Sequence, residues 1–516
     1  MRHPLFALPT LAAFALGLCA ALLPEHAASA AAAPRVTIVV GANAPALEQL
    51  AATELASQLQ SLVGAQATTQ TALPADDAAV ILIGSPQTSA AVDAVFGKQW
   101  PKLSRQGHLV KSVPFQGRTV LVLGGGSPVA SLWAVHEFGY RCGIRHLLHG
   151  DFLPLEKPAF TLAGFDVVLE PRVKRRAWSA FIGQPFGAES WSVADHTRLL
   201  TQLAKLKFTH IVLPAALTPV AALRVDGDTP GRKVFGGARQ FENADRGDDF
   251  LPRIKAAAAA VGIFVQVGEM PDAIEINPGP ANASVLPQFN LETLATQLNA
   301  LRLKPTAGFV ARVVIPGDLN ASAHFLSRAS FADQLTAAQS VSDLVTPICG
   351  KEVDERLLKG FGLAAQAAAL ITANDAAIAV PAARMTLRHL EAKAAPPAWL
   401  TEAKNLYAQA MNEMYRANTR ARDGARPYIL YHAKRFEFAL HYLTSIELLW
   451  KAGFAGAEGK NEARTQALEQ AVEAMYNALN ALADVARDAS DRGTIAILNV
   501  HAYRPLLQTL EAAAKP

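Results

Sequence analysis

"DHTRLLTQLAKLKFTHIVLPA", residues 195–215, decides how the chain is read. Leu199, Leu200, Leu203 and Leu206 fall on one side of an amphipathic helix, and Ile211 to Leu213 read as the strand that follows. "FLPRIKAAAAAVGIFVQVGE" (250–269) repeats the design, with Gly262 as the C-terminal break and a strand over Ile263–Val267. "NLETLATQLNALRLKPTAGFVARVVIP" (290–316) does so again, with a strand near Phe309–Ile315. Repeated helix–loop–strand units imply parallel strands joined by crossovers, in a β/α barrel or an open parallel sheet. A complete eightfold barrel takes ~250 residues and rarely fewer than ~200. The stretch over 169–330 is shorter and yields about four strands, so the expected element is an abbreviated or incomplete parallel β/α barrel.

Upstream, 34–168 reads as an α/β domain. "PRVTIVVG" is a short strand, and Leu47, Leu50, Leu55, Leu59 and Leu62 mark a helix that Gly64 stops. "AAVILIGSP" and "RTVLVLGGGSPVASLWAVHEFGYRCGIR" add strands and a second helix, so helices cover one side of a sheet. "GGGSP" (124–128) could hold phosphate at a helix start. It lacks the G-x-G-x-x-G spacing and its acidic partner, and Pro128 suits a first helical turn. It reads as a structural turn.

Downstream, over 331–516, strand signals nearly vanish. Long alanine-rich segments such as "AWLTEAKNLYAQAMNEMYRANTRAR" and "RPYILYHAKRFEFALHYLTSIELLWKAG" repeat apolar residues at three and four, the pattern of a helical bundle. Pro381, Pro396, Pro397, Pro427 and Gly453 mark its corners. The fold class is α/β plus α.

The first residues have another character. Arg2, an apolar run over Leu5–Leu23, and small residues at Ala28 and Ala30 give the layout of a secretory signal peptide over 1–30. Cys19 raises a lipoprotein alternative, which the bulky Leu18 before it opposes. The expected localisation is periplasmic or secreted. Past residue 34 no apolar run approaches the ~20 residues of a spanning helix, so no stable membrane insertion is expected. The 516 residues carry 48 basic and 44 acidic side chains, a net +4 without a basic block, which leaves no electrostatic footprint for nucleic acid. Cys142 and Cys349 read as buried thiols, and without CxxC or HExxH no metal site or cofactor is expected. Asn282 opens an "NAS" sequon.

Five arrangements could carry chemistry. Arg172, Arg175 and Arg176 lie along a strand read over Val173–Trp178, with Arg172 and Arg176 on one face. A guanidinium there can fork two donors onto a sugar diol or a uronate, or else make a salt bridge to the helical tail. Trp178 and Trp191 offer faces for stacking on a sugar ring, or serve as core aromatics. "VDGDTPGRKVFGGARQFENAD" (225–245) follows the strand "HIVLP". Asp226 and Asp228 can accept sugar hydroxyls, Arg232 and Lys233 can meet an acid, or all four can satisfy one another in an ordered lid. Glu269, Asp272 and Glu275 follow "IFVQVG", and Asp318 follows "VARVVIPG". Carboxylates at strand ends suit paired-carboxylate glycoside hydrolysis, with Glu269 and Asp272 as the candidate pair, or are solvated loop groups. Tyr428, His432 and Arg435 share a helical face that lines a cleft or joins two domains.

"LEQLAATELASQLQSLVGA", "ILIGSP" and "GGGSPVASLWAVHEFGYRCGIR" resemble the accessory domain preceding the catalytic barrel in bacterial hexosaminidases and α-glucuronidases. Together with "FLSRASFADQLTAAQSVSDLVTPICG", the chain is similar over most of its length to exported bacterial glycoside-hydrolase-like proteins. The resemblance implies a carbohydrate ligand and a sugar-binding arginine at Arg176 or Arg175. The chain departs from such proteins where further barrel strands would carry the paired carboxylates. Two functions therefore stay open: a glycoside hydrolase without a metal, and a non-catalytic carbohydrate-binding or scaffold protein derived from one.

Overall fold

The computed structural model describes residues 33–513, apart from 76–77, 217–221, 226–229, 243–246, 278–283, 304–307, 313–314, 333 and 383–384. The leader read at 1–30, Asn282, and Asp226 and Asp228 of the glycine-rich stretch lie outside the described residues.

The amino-terminal region runs β1 (Arg35–Val39), α1 (Ala46–Val63), β2 (Gln66–Gln70), β3 (Ala79–Ile83), α2 (Ala90–Phe96), β4 (His108–Phe115), β5 (Arg118–Gly125) and α3 (Pro128–Arg141). The hairpin β6 (Arg145–Leu147) and β7 (Gly150–Phe152) follows, then β8 (Asp166–Leu169). The sheet order is β2-β1-β3-β5-β4-β8, parallel from β2 to β5 and antiparallel at β4 and β8. Both faces are covered, which corrects the expectation of one. Leu55 and Leu59 of α1 and Leu132, Val135 and Phe138 of α3 pack on Ile38, Ile81 and Leu121. Val92 and Phe96 of α2 pack on Val39, Leu82 and Val122 from the other side. A seven-residue helix spans too few turns to show a periodic stripe. In the glycine turn before α3 a Cβ on Gly126 would lie 2.0 Å from the Ser104 carbonyl oxygen, so close backbone packing requires glycine there.

The central region contains β9 (Arg176–Ser179), α4 (Val193–Lys205), β10 (His210–Leu213), the short pair β11 (Leu223–Arg224) and β12 (Gln240–Phe241), and α5 (Phe250–Ala260). It continues through β13 (Phe264–Val267), β14 (Ala273–Ile276), α6 (Leu291–Arg302) and β15 (Gly308–Arg312). Ser192 and Asp195 close a capping box at the start of α4. Five strands pair in the order β13-β10-β9-β15-β14, all parallel, leaving two open edges among the described residues. The sequence reading lacks β14, because "AIEI" follows β13 too closely to leave room for a crossover helix. That strand lies at the opposite edge of the sheet.

The remainder is helical: α7 (Asn320–Ala329), α8 (Ala337–Cys349), α9 (Asp354–Asp375), α10 (Ala398–Arg420), α11 (Arg426–Ala457), α12 (Asn461–Val485), α13 (Ala489–Leu498) and α14 (Arg504–Ala513). From α9 to α12 each helix packs on the next. Gly453, read as a corner, lies inside α11. The segment Asp354–Ala379 is long and apolar enough to cross a membrane by length and composition. Its Leu357, Phe361, Ala364 and Ile371 are buried in the same core as Leu400, Tyr407 and Ala410 of α10. That core also takes in Trp178, Phe208 and Phe309 of the central region, so residues on both sides of 330 share one apolar interior.

Candidate functional site

Alternation along the parallel strands assigns two faces to the central sheet. Trp178, Ile211, Leu213, Phe309 and Ala311 are buried in the core on one face. Residues of opposite parity, Ser179, Val212, Glu275, Val310 and Arg312, line a single hollow of about 380 Å³. Strands from both halves of the sheet thus border one space, so the sheet is curled and the hollow lies on its concave side. Gly268 to Asp272 lead from the carboxyl end of β13 to the amino end of β14. Gly268 N–H donates to the Leu213 carbonyl at 2.9 Å, and the Asp272 carbonyl accepts from Gly308 N–H at 3.3 Å.

The polar groups of this hollow come from neighbouring elements. Arg312 Nε lies 2.7 Å from Glu275 Oε2, both side chains being about half exposed. Glu269 is exposed beside them, and Gln266 Nε2 donates to its backbone carbonyl at 3.0 Å, fixing the turn. Phe181 and Met270 supply apolar wall. Two carboxylates, one guanidinium and an apolar side form an arrangement that can accept and donate hydrogen bonds to a polyhydroxylated ring.

Of the residues singled out from the sequence, Glu269 and Glu275 meet here. Asp272 does not line the hollow: it precedes a strand instead of following one, in the left-handed region at φ 57°. Arg175 also precedes its strand and donates to the Pro271 carbonyl. Arg172 is exposed, its N–H donating to the Ser330 carbonyl at 2.8 Å. Arg176 lies on the face opposite the hollow and is fully buried. Its Nε donates to the Lys207 carbonyl (2.7 Å), and its Nη1 to the Val173 carbonyl (2.6 Å) and Gln106 (2.9 Å). The guanidinium sits over Trp133 and Phe331, and burial brings its pKa down to about 9. It joins regions of the protein rather than facing the hollow. Trp178 is equally buried, edge-on to Phe208 at 5.3 Å.

The glycine-rich stretch lies against the helical region. Gly231, at φ 75°, would place a Cβ 3.0 Å from Ala483, and exposed Lys233 is 3.3 Å from Asp484. Arg232 is partly buried beside it. Arg435 binds Asp318 through two hydrogen bonds of 2.9 and 2.7 Å, both side chains buried, and Tyr428 and His432 are buried nearby. Of the two roles that the helical spacing allows, these buried contacts are structural, tying α11 to the segment before α7 and absorbing Asp318.

Two polar assemblies carry no motif in the sequence. Buried Glu137 of α3 accepts from Lys207 at 2.9 Å and from Arg328 at 2.6 Å. Burial alone would raise its pKa, but the two cations hold it well below the usual carboxylate range. The second surrounds a cavity of about 620 Å³ between the β6–β7 hairpin, α4 and the start of α13. There His149 Nε2 is 2.6 Å from Asp488 Oδ2, Tyr431 Oη donates to Asp491 at 3.2 Å, and Trp191 donates to Ser490 at 2.8 Å. Glu275 is signalled only as a carboxylate beyond the apolar strand "IFVQVG", and Arg312 gives no signal apart from its partner.

Comparison with known proteins places this architecture. Residues 20–138 match the family described as the glycosyl hydrolase family 67 N-terminus. No curated protein matches the chain. Among solved structures, the chain is similar to a family GH115 4-O-methyl-α-glucuronidase with specificity for decorated arabinogalactans. Identity is 11% and the TM-score 0.54, over 91% of this chain and 80% of that one. A family 89 glycoside hydrolase from Clostridium perfringens has 10% identity and a TM-score of 0.47, over 82% and 73% of the two chains. A GH138 enzyme targeting pectin rhamnogalacturonan II has 7% identity and a TM-score of 0.44, over 87% and 74%. The fold is glycoside-hydrolase-like.

Proposed function

We propose that this chain is an exported glycoside-hydrolase-like protein that binds an oligo- or polysaccharide on the concave side of the five-stranded sheet. The observation that carries the reading is the convergence of Glu269, Glu275 and Arg312 with Phe181 and Met270 on one hollow. Its volume, about 380 Å³, suits a sugar ring. Ligands of parallel α/β sheets gather at the carboxyl ends of the strands, where this hollow opens. The neighbours' carbohydrate chemistry supports the ligand class, and the leader-like composition of residues 1–30 supports export. Affinity electrophoresis in arabinogalactan, xylan and polygalacturonate tests it: wild type is retarded by at least one polymer and Arg312→Ala is not. Retardation by none, or equally of both proteins, removes the proposal.

Hydrolysis is the second reading, favoured by the presence of two carboxylates, Glu269 and Glu275, on the same hollow. Glu275 is engaged by Arg312, and Glu269 is exposed rather than enclosed by apolar groups, which supports binding ahead of turnover. If turnover occurs, release of nitrophenol from an aryl-glycoside panel is lost in both Glu269→Gln and Glu275→Gln. Release that survives both substitutions excludes this pair.

A further inference from the structure

Strand register ties Phe264 of β13 to His210, Ala177, Val310 and Glu275 in turn, one row crossing the concave face from edge to edge. Four inter-strand steps make about 19 Å of contour along the sheet. Glu275 and Val310 line the hollow at one end of this row. At the other end Phe264 is 63% exposed, an unusual state for a large ring on a parallel sheet, whose faces are ordinarily covered. It lies 5.5 Å from the His210 ring, and His210 Nδ1 is engaged by Thr209 Oγ1 at 2.8 Å. Burial, with Arg175 and Arg176 nearby, brings the His210 pKa down to about 4, so the imidazole is neutral.

We propose that Phe264 is a stacking platform for a second ring of the saccharide held in the hollow, so that the protein takes oligomers rather than single sugars. The proposal rests on the reading of the hollow given above. A pyranose has an apolar C–H face rimmed by hydroxyls. The row carries both parts: an exposed aromatic face with His210 and Gln266 beside it, and at the far strand Glu275 with Arg312 next to it, while Ala177 at the middle of the row is buried. An apolar protein partner would have to desolvate Glu275, Arg312 and Glu269. A nucleic acid backbone would meet two carboxylates.

The test is calorimetric titration with one- to four-unit fragments of whichever polymer retards the wild type. Phe264→Ala is expected to weaken binding of fragments of two or more units about tenfold, leave single-unit binding unchanged, and melt with the wild type. Phe264→Trp is expected to restore it. Wild-type affinity of Phe264→Ala for every length overturns the platform and leaves the hollow standing, provided Arg312→Ala has lost binding. A loss in Phe264→Ala that comes with a lower melting temperature and is not rescued by Trp also overturns it. Failure of the wild type to bind any polymer overturns both readings.

Discussion

Arg312 of β15 and Glu275 of β14 stand on adjacent parallel strands, Nε to Oε2 at 2.7 Å, with each side chain about half exposed. Such a pair adds little to stability, because water screens it and two flexible side chains must be ordered to make it. Its position matters more: it sets a donor and an acceptor side by side on the concave face.

Removing this pair therefore separates binding from folding. Arg312→Ala and Glu275→Gln are each expected to change unfolding free energy by less than about 1 kcal/mol while lowering saccharide affinity about tenfold or more. Urea denaturation and titration of the same preparations check both halves. Unchanged affinity in both variants counts against the site.

Glu137 behaves in the opposite way. Glu137→Gln leaves Lys207 and Arg328 buried around a neutral amide, and breaking a buried ion network costs about 3–5 kcal/mol. The expected result is a large fall in the urea midpoint. A midpoint near that of the wild type would show that this junction does not hold the amino-terminal sheet to the rest of the chain.

Arg176 decides between joint and ligand contact. Arg176→Met keeps much of the volume but strands the Lys207 and Val173 carbonyls, a loss of about 1–3 kcal/mol. Saccharide affinity per folded molecule is expected to be unchanged. Lost affinity at full stability would return this arginine to the ligand.

Asp491 gives the molecule a pH signature. Burial, and then the neighbouring Asp488, raise its pKa to about 6, with His149, Tyr431, Arg435 and Arg487 also around it. A raised carboxyl pKa means that the folded state holds the proton more tightly. The stability this adds is present below the ordinary carboxylate range and lost as pH rises through about 6. Relative to Asp491→Asn, the wild-type melting temperature should fall between about pH 4.5 and about pH 7.5. A constant difference across that window contradicts the assignment.

Much of the frame is legible in the residues. The leucines of α4 and the run ending at Leu213 predict helix and strand because burial of one helical face dictates their spacing. The long amphipathic helices α9 to α12 are legible for the same reason. Helix α2 and strands β2 and β14 are too short to establish a period, and among the described residues β14 is held only by β15, the next strand, beyond helix α6. The site divides along the same line. Glu269 and Glu275 are visible as carboxylates beyond an apolar strand, whereas Arg312 acquires meaning only when β15 is laid beside β14. Arg176 misleads because alternation gives two faces without saying which is concave. That is settled by Phe208 and Phe309, which pack with Trp178 and turn its face toward the core.

The most direct test is a crystal structure of the chain with the tightest-binding oligosaccharide from the titrations. The account predicts one sugar ring hydrogen-bonded to Arg312 and Glu275, with the next lying flat on Phe264. Density for the ligand in the cavity beside His149 and Asp488, with the concave face empty, would contradict it.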